Sequence, residues 1–141
     1  MDIQQIIGGK FVGAVSGRTF DRIDPFTGQV ATRSPASGPE DVKAAVAAAQ
    51  AAFPAWSKTG PGERRALLNK AADALAAKVG DFTALLTSET GGTGPWAGFN
   101  TMLAAGMLRE AAGMTTQIQG DIIPSDKPGT LSMAIRQSAG V

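Results

Sequence analysis

The sequence predicts a mixed α and short-β segment: a small antiparallel β unit, four helices, then two strands. Three observations predict it. Short alternating runs, punctuated by Gly-Gly, Ser-Gly and Pro-Phe-Thr-Gly, fill the chain as far as Arg33. Four segments with apolar residues at helical spacing follow, most of them opened by Pro or an acidic residue. Beyond them the chain returns to strand-like alternation at Leu131-Ser132-Met133-Ala134-Ile135. Strand-helix-strand units do not alternate, so on pattern alone this is α plus short β and not a complete doubly wound sheet.

The elements can be justified in order. Ile6-Ile7-Gly8-Gly9-Lys10-Phe11-Val12 predicts a tight hairpin whose glycines supply the positive φ of its turn. Ser16-Gly17 breaks the second strand. Phe20 to Pro25 and Gln29 to Arg33 are two more short strands, joined by the turn Pro25-Phe26-Thr27-Gly28. The first helix begins near Ser37-Gly38-Pro39-Glu40-Asp41, with Pro early and acids in the first turn. Val42, Ala45, Val46, Ala49, Phe53 and Trp56 form its apolar face, and Pro54 is expected to disrupt or end it around there. A second helix starts at Pro61-Gly62-Glu63 and carries Leu68, Ala71, Leu75 and Val79 on one side. Gly80 is expected to close it from the left-handed position after the cap. Asp81 then caps a third, short helix with Phe82, Leu85 and Leu86. After the loop Thr90-Gly91-Gly92-Thr93-Gly94, Pro95 opens a fourth helix running to about Gly120. It is apolar around most of its circumference, through Trp96, Phe99, Met102, Leu103, Met107, Leu108 and Met114, so deep burial is expected. Ile122-Ile123-Pro124 and Leu131 to Ile135 read as two strands joined by Ser125-Asp126-Lys127-Pro128-Gly129.

Composition narrows the chemistry. Of 141 residues 43% are hydrophobic, which excludes disorder by composition, but much of that is alanine, so a self-sufficient core would be thin. Thirteen Lys and Arg against twelve Asp and Glu are scattered, which argues against a nucleic-acid surface. The absence of cysteine excludes disulfides and thiolate metal sites and fits a reducing compartment. The absence of histidine removes the usual zinc sets and His-based triads. The N-terminus lacks the basic and apolar regions of a signal peptide, and no apolar run approaches the roughly 20 residues of a membrane span. A cytoplasmic protein is expected, without nucleic-acid or membrane partners.

Local motifs are weak taken singly. Gly92-Thr93-Gly94-Pro95-Trp96-Ala97 has the G-x-G-x-x-A spacing of a dinucleotide fingerprint, yet a helical segment precedes it where a strand is needed; a helix-helix linker is the plainer reading. Glu89 could be a general acid, but with no charged neighbour in sequence it reads as a solvated helix-end carboxylate or a local cap partner. Arg64-Arg65 reads as a solvated helix face. Trp96, Phe99 and Leu103 share one stripe of the fourth helix, with Met107 a turn further on. Core packing is their ordinary role; a wall of an apolar channel for a ring-bearing ligand is the functional alternative.

As an ordered set, these segments resemble a family. Gly8-Gly9-Lys10-Phe11-Val12, Ser16-Gly17-Arg18-Thr19-Phe20 and Asp24-Pro25-Phe26-Thr27-Gly28-Gln29-Val30 resemble the opening of aldehyde dehydrogenases. Asp41 to Ala49 with Ala52-Phe53 and Trp56, Glu63-Arg64-Arg65-Ala66-Leu67-Leu68, Glu89-Thr90-Gly91, Ala112-Gly113, Gly120-Asp121-Ile122-Ile123-Pro124 and Gly140-Val141 continue the likeness in the same order. Trp96-Ala97-Gly98-Phe99-Asn100 and Met107-Leu108-Arg109-Glu110-Ala111-Ala112 are most similar to the branch acting on aromatic aldehydes, such as salicylaldehyde, benzaldehyde and vanillin. Ser138 departs from the family's usual proline.

The resemblance implies an α/β fold of which this chain is the N-terminal part. Residues 1–120 would belong to the cofactor-binding domain, incomplete, and 121–141 would lead into the oligomerisation arm and the first nucleotide-binding strand. It implies oxidation of an aldehyde to a carboxylic acid by a parent homodimer or homotetramer, with NAD or NADP as cofactor. In that mechanism a cysteine thiolate attacks the aldehyde, hydride passes to NAD(P)+, and a glutamate-activated water releases the acid, while an asparagine and a backbone N–H hold the oxyanion. None of these residues has a matching position here, so no catalytic or cofactor-binding residue carries over and the chain alone is expected to be inactive. The fourth helix resembles the helix lining the substrate tunnel, which makes Trp96, Phe99 and Leu103 the expected substrate contacts. The isolated chain is expected to be poorly soluble or molten. Two rivals remain: a non-catalytic helical scaffold or interaction module derived from such an enzyme, and a small nucleotide-binding domain built on the Gly92–Gly94 loop.

Overall fold

The computed structural model describes residues 1–141, and its first turn is built by glycine. Gly8 and Gly9, at φ +58° and +76°, reverse the chain between β1 (Gln5–Ile7) and β2 (Lys10–Val12). Ile7 pairs with Lys10, leaving the two-residue loop whose twist matches paired strands. β2 stops at Val12, ahead of the expected break at Ser16-Gly17. β3 (Thr19–Ile23) and β4 (Val30–Pro35) form a second antiparallel hairpin. Its turn is held by Asp24, whose Oδ1 accepts the N–H groups of Phe26 at 2.8 Å and Thr27 at 3.2 Å. A single parallel bridge between Asp2 and Arg33 links the hairpins, so the β unit is two hairpins and not one continuous sheet.

Helix α1 (Pro39–Trp56) is tied to β1 and the loop after β2 by one carboxylate. Asp41 Oδ1 accepts the Gln5 amide at 2.7 Å and the Val15 N–H at 3.0 Å, and Oδ2 accepts the Gly38 N–H at 2.8 Å. These donors, the Gly38 N–H first, hold the Asp41 carboxyl below its ordinary range. Pro54 falls in the last turn of α1, which ends two residues later at Trp56, close to where the proline was expected to disrupt or end it. Proline removes the hydrogen bond its own N–H would make and crowds the carbonyl four residues back, so a break is felt within a turn of it.

Helices α2 (Pro61–Ala76) and α3 (Val79–Thr90) follow with almost no linker. Here two expectations fail. Gly80 does not close α2; that helix ends on the right-handed cap Ala77, and Gly80 lies in the first turn of α3 without positive φ. Asp81 is not the cap of α3 either. Lys78 occupies that position, and Asp81 sits inside the first turn, 3.9 Å from the Lys78 ammonium. Its charge serves the helix dipole from there instead of accepting as a cap.

The fourth helix, α4 (Gly94–Met114), ends six residues before the expected Gly120. Thr115 caps it, its hydroxyl donating to the Ala112 carbonyl at 2.9 Å, and Thr115-Thr116 are poor helix formers. Arg65 meets Ala112 and Asp73 meets Arg109, so α2 and α4 run antiparallel. Both pack through small residues. Ala72, Ala97, Ala105 and Ala112 are at most 1% exposed, and no larger apolar side chain is buried. The expected deep burial of α4 is therefore corrected: one stripe, Ala97-Thr101-Ala105-Ala112, is buried, while the large residues lie outside it.

The last elements are β5 (Asp121–Ile123) and β6 (Ser132–Ala134), an antiparallel hairpin in the expected place. No helix of the chain is long and apolar enough to cross a membrane. The chain exposes 10136 Å². A compact monomer of 14.3 kDa would expose roughly 6,800 Å². The thin core expected from the alanine content is thus accompanied by large open apolar faces.

Candidate functional site

The open face of α4 carries the three residues singled out as substrate contacts. Trp96 and Phe99, three apart on the helix, stack with ring centroids 5.6 Å apart and planes at 27°. Trp96 is 57%, Phe99 53% and Leu103 47% exposed, with Met107 continuing the stripe at 66%. Their spacing brings Trp96 and Phe99 together, with Leu103 exposed further along the helix, but not as core: within this chain the ordinary expectation of packing is wrong, because the residues buried on α4 are on its alanine side. Asn100, next after Phe99 in sequence, donates its side-chain amide to the Trp96 carbonyl at 2.8 Å.

The start of α4 is set by the loop before it. Gly91 caps α3 in the left-handed conformation at φ +72°. A side chain there would place Cβ 2.9 Å from Pro25 Cγ and 3.1 Å from Phe26 Cε2, so the β3–β4 turn packs directly on this glycine. At Gly92, Cβ would lie 2.8 Å from Leu86 Cδ2 and 3.9 Å from Trp96 Cδ1. The loop is a fitted helix-helix linker preceded by α3, as its plainer reading held. The Gly92 N–H donates to the Thr90 hydroxyl at 3.2 Å, and the Ala97 N–H to the Thr93 carbonyl at 2.9 Å. Strand-turn-helix geometry for a pyrophosphate is absent, so the residues present do not make a dinucleotide cradle.

Two expectations about charged groups are corrected. Glu89 is neither a free surface carboxylate nor a local cap partner. The Thr32 hydroxyl donates to its Oε1, and Arg22 Nε lies 3.2 Å from its Oε2, leaving the side chain 15% exposed. Arg64 and Arg65 do not simply solvate a helix face. Arg64 lies over the Trp56 ring at 5.2 Å and donates to the Trp56 carbonyl, whereas Arg65 donates to the Ala112 carbonyl at 3.2 Å and to the Thr116 hydroxyl at 3.1 Å. Both cations reach the C-terminal ends of neighbouring helices, adding a charged donor to carbonyls that have lost their regular helical partners. Sequence reasoning missed the Glu89 and Arg65 ties because their partners are distant; only the unexplained helix-end Glu89 could have prompted a search.

A cavity of about 620 Å³ lies between β4 and α3, lined by Met1, Ala31, Thr32, Phe82, Leu85 and Ser88 among others. Neither Trp96, Phe99 nor Leu103 lines it, and it holds no nucleophile paired with a base.

The family model described as aldehyde dehydrogenase family matches residues 11–141. A vanillin dehydrogenase of Pseudomonas sp. (strain HR199 / DSM 7063) is 59% identical, the match covering 96% of this chain and 28% of the relative. The crystal structure of a salicylaldehyde dehydrogenase from Pseudomonas putida G7, complexed with salicylaldehyde, superposes with a TM-score of 0.93 at 40% identity, covering 97% of this chain and 28% of that one. An NAD-dependent benzaldehyde dehydrogenase from Corynebacterium glutamicum does so with a TM-score of 0.83 at 31% identity, over 91% and 28%. The chain thus spans under a third of the length of the relatives it matches.

Proposed function

We propose that this chain, which belongs to the aldehyde dehydrogenase family, forms the N-terminal part of an enzyme oxidising aromatic aldehydes to carboxylic acids with NAD(P)+. Trp96, Phe99 and Leu103 then supply one wall of its substrate tunnel. The observation that carries this reading is the stacked, half-exposed Trp96–Phe99 pair continued by Leu103 on the open side of α4. An aromatic pair kept out of a helical core offers a flat apolar surface to a ring-bearing substrate. The surface excess supports the same reading, since large apolar faces on a folded segment mark contacts still to be made. Relatives named for vanillin, salicylaldehyde and benzaldehyde agree in substrate class, and one of them is NAD-dependent.

The 141 residues hold no cysteine to act as nucleophile, and the α3–α4 loop is no dinucleotide cradle. This segment accordingly contributes framework and tunnel wall. By itself it forms no NAD(P)H from benzaldehyde. Residues 1–120 are assigned to the incomplete cofactor-binding domain and 121–141 to the approach to an oligomerisation arm of a homodimer or homotetramer. That assignment is supported by a β5–β6 hairpin that packs mainly on itself and leaves Ile122 and Leu131 exposed.

The test uses the complete enzyme carrying this segment. Phe99→Ala should raise KM for benzaldehyde about ten-fold, the scale of losing part of a hydrophobic pocket wall, and leave KM for a short straight-chain aldehyde within about two-fold. Equal effects on both substrates would refute the tunnel-wall assignment.

A further inference from the structure

We infer that Glu89, with Thr32 and Arg22, is a positioning clamp for the aromatic end of the α4 stripe, setting where Trp96 stands; this rests on the proposed tunnel-wall reading. Thr32, 1% exposed, donates its hydroxyl to Glu89 Oε1, while Arg22 Nε approaches Oε2 at 3.2 Å. Both carboxylate oxygens are therefore engaged by β3 and β4, the strands on either side of the Asp24–Gly28 turn.

That turn in turn presses on the loop leading to the tunnel face. Pro25 Cγ and Phe26 Cε2 lie within 3.1 Å of where a Gly91 Cβ would be, only two residues beyond Glu89. Across the loop, Gly92 fits between Leu86 and Trp96, with 3.9 Å from its virtual Cβ to Trp96 Cδ1. The Thr90 hydroxyl donates to the Leu86 carbonyl at 2.7 Å and accepts from Gly92, closing the last turn of α3. The loop is held from the hairpin side and from α3, and Trp96 is the third residue of the helix it feeds.

A half-buried carboxylate is an expensive way merely to fasten a loop, because its desolvation is offset only while both oxygens keep their partners. What a charge-assisted pair adds over an apolar contact is direction, since donor and acceptor must align. A loop fixed in direction fixes the first turn of α4 and, with it, the Trp96 ring. The polar partners of Glu89 are Thr32 and Arg22 and not residues of the stripe, so its role is positioning and not catalytic.

The complete enzyme tests this in a double-mutant cycle of Glu89→Gln and Trp96→Ala, with benzaldehyde and a short straight-chain aldehyde as substrates. Glu89→Gln should raise KM for benzaldehyde about five-fold with kcat nearly unchanged, and in the Trp96→Ala background that increase should vanish. Thr32→Val should mimic Glu89→Gln, while Thr32→Ser, which keeps the donor, should restore the wild-type value; thermal melting reports whether each variant is folded. Additive effects, or losses equal for both aldehydes, would overturn the clamp while a benzaldehyde-specific effect of Trp96→Ala leaves the tunnel wall standing. If Trp96→Ala has no benzaldehyde-specific effect, the tunnel wall falls and the clamp with it. Unfolding of both Glu89→Gln and Thr32→Val would assign these residues to stability alone and also overturn the proposal.

Discussion

Replacing Gly91 by alanine should loosen the α3–α4 loop by an amount that the structure allows to be divided. The φ of +72° costs an alanine about 1 kcal/mol through its Cβ. The new Cβ also meets Pro25 Cγ at 2.9 Å and Phe26 Cε2 at 3.1 Å, and overpacking of this kind costs about 1–3 kcal/mol. The sum is about 2–4 kcal/mol. Gly28→Ala is the control, because Gly28 has φ +69° but nothing within 4 Å of its Cβ position, so only the backbone cost of about 1 kcal/mol remains. Amide hydrogen exchange in the complete protein reads both. The Ala97 N–H, bonded to the Thr93 carbonyl at 2.9 Å, reports on the α3–α4 loop, and the Asp24 N–H, bonded to the Gln29 carbonyl at 2.9 Å, reports on the β3–β4 turn. With tenfold per 1.4 kcal/mol, exchange at Ala97 should accelerate by about thirty-fold to several hundred-fold in Gly91→Ala, and at Asp24 by less than about ten-fold in Gly28→Ala. An acceleration in Gly91→Ala no greater than in Gly28→Ala would refute the argument that the turn packs on the loop.

Two further perturbations probe the framework. Ala105→Leu puts three extra carbons into a position with no exposed surface, and should lower stability by about 1–3 kcal/mol, seen as a lower urea midpoint; an unchanged midpoint would mean the helices are not in close contact there. Asp41→Asn tests the carboxylate that ties α1 to β1 and Val15. Because its folded pKa is depressed, its contribution is complete above the unfolded value of about 3.9 and disappears as pH falls through the folded one. The variant should melt lower at pH 7, and the gap should close progressively as pH drops below about 4; a gap independent of pH would contradict the hydrogen-bond account.

Much of the element order was legible because its signals are local. Gly8-Gly9, Pro39, Pro61 and the Asp24 turn act within a few residues, and each determines structure without help from distant partners. The errors arise where a local signal has two meanings. Gly80 resembles a terminator, but the turn from α2 into α3 is made by right-handed Ala77, leaving the glycine unremarkable inside the next helix. Glu89 and Arg65 were misread because their partners, Thr32 and Ala112, lie 57 and 47 residues away, beyond any periodicity.

The stripe on α4 was legible as a stripe and illegible as to environment, for a physical reason. A helix apolar on nearly all sides does not say which side meets its neighbours, and here α4 packs through its alanines while Trp96, Phe99 and Leu103 face outward. That inversion runs through the segment: Val42 and Val46 on α1 are more than half exposed, as are Met107 and the rings, whereas every fully buried apolar residue is an alanine. Small residues let backbones approach and fix the framework with little buried area, which leaves the larger part of the hydrophobic driving force in side chains that this chain does not cover. The framework and the proposed substrate face of α4 thus use different residues. Changes on the alanine side should alter stability for every substrate alike, while changes on the aromatic side should alter which aldehyde is preferred.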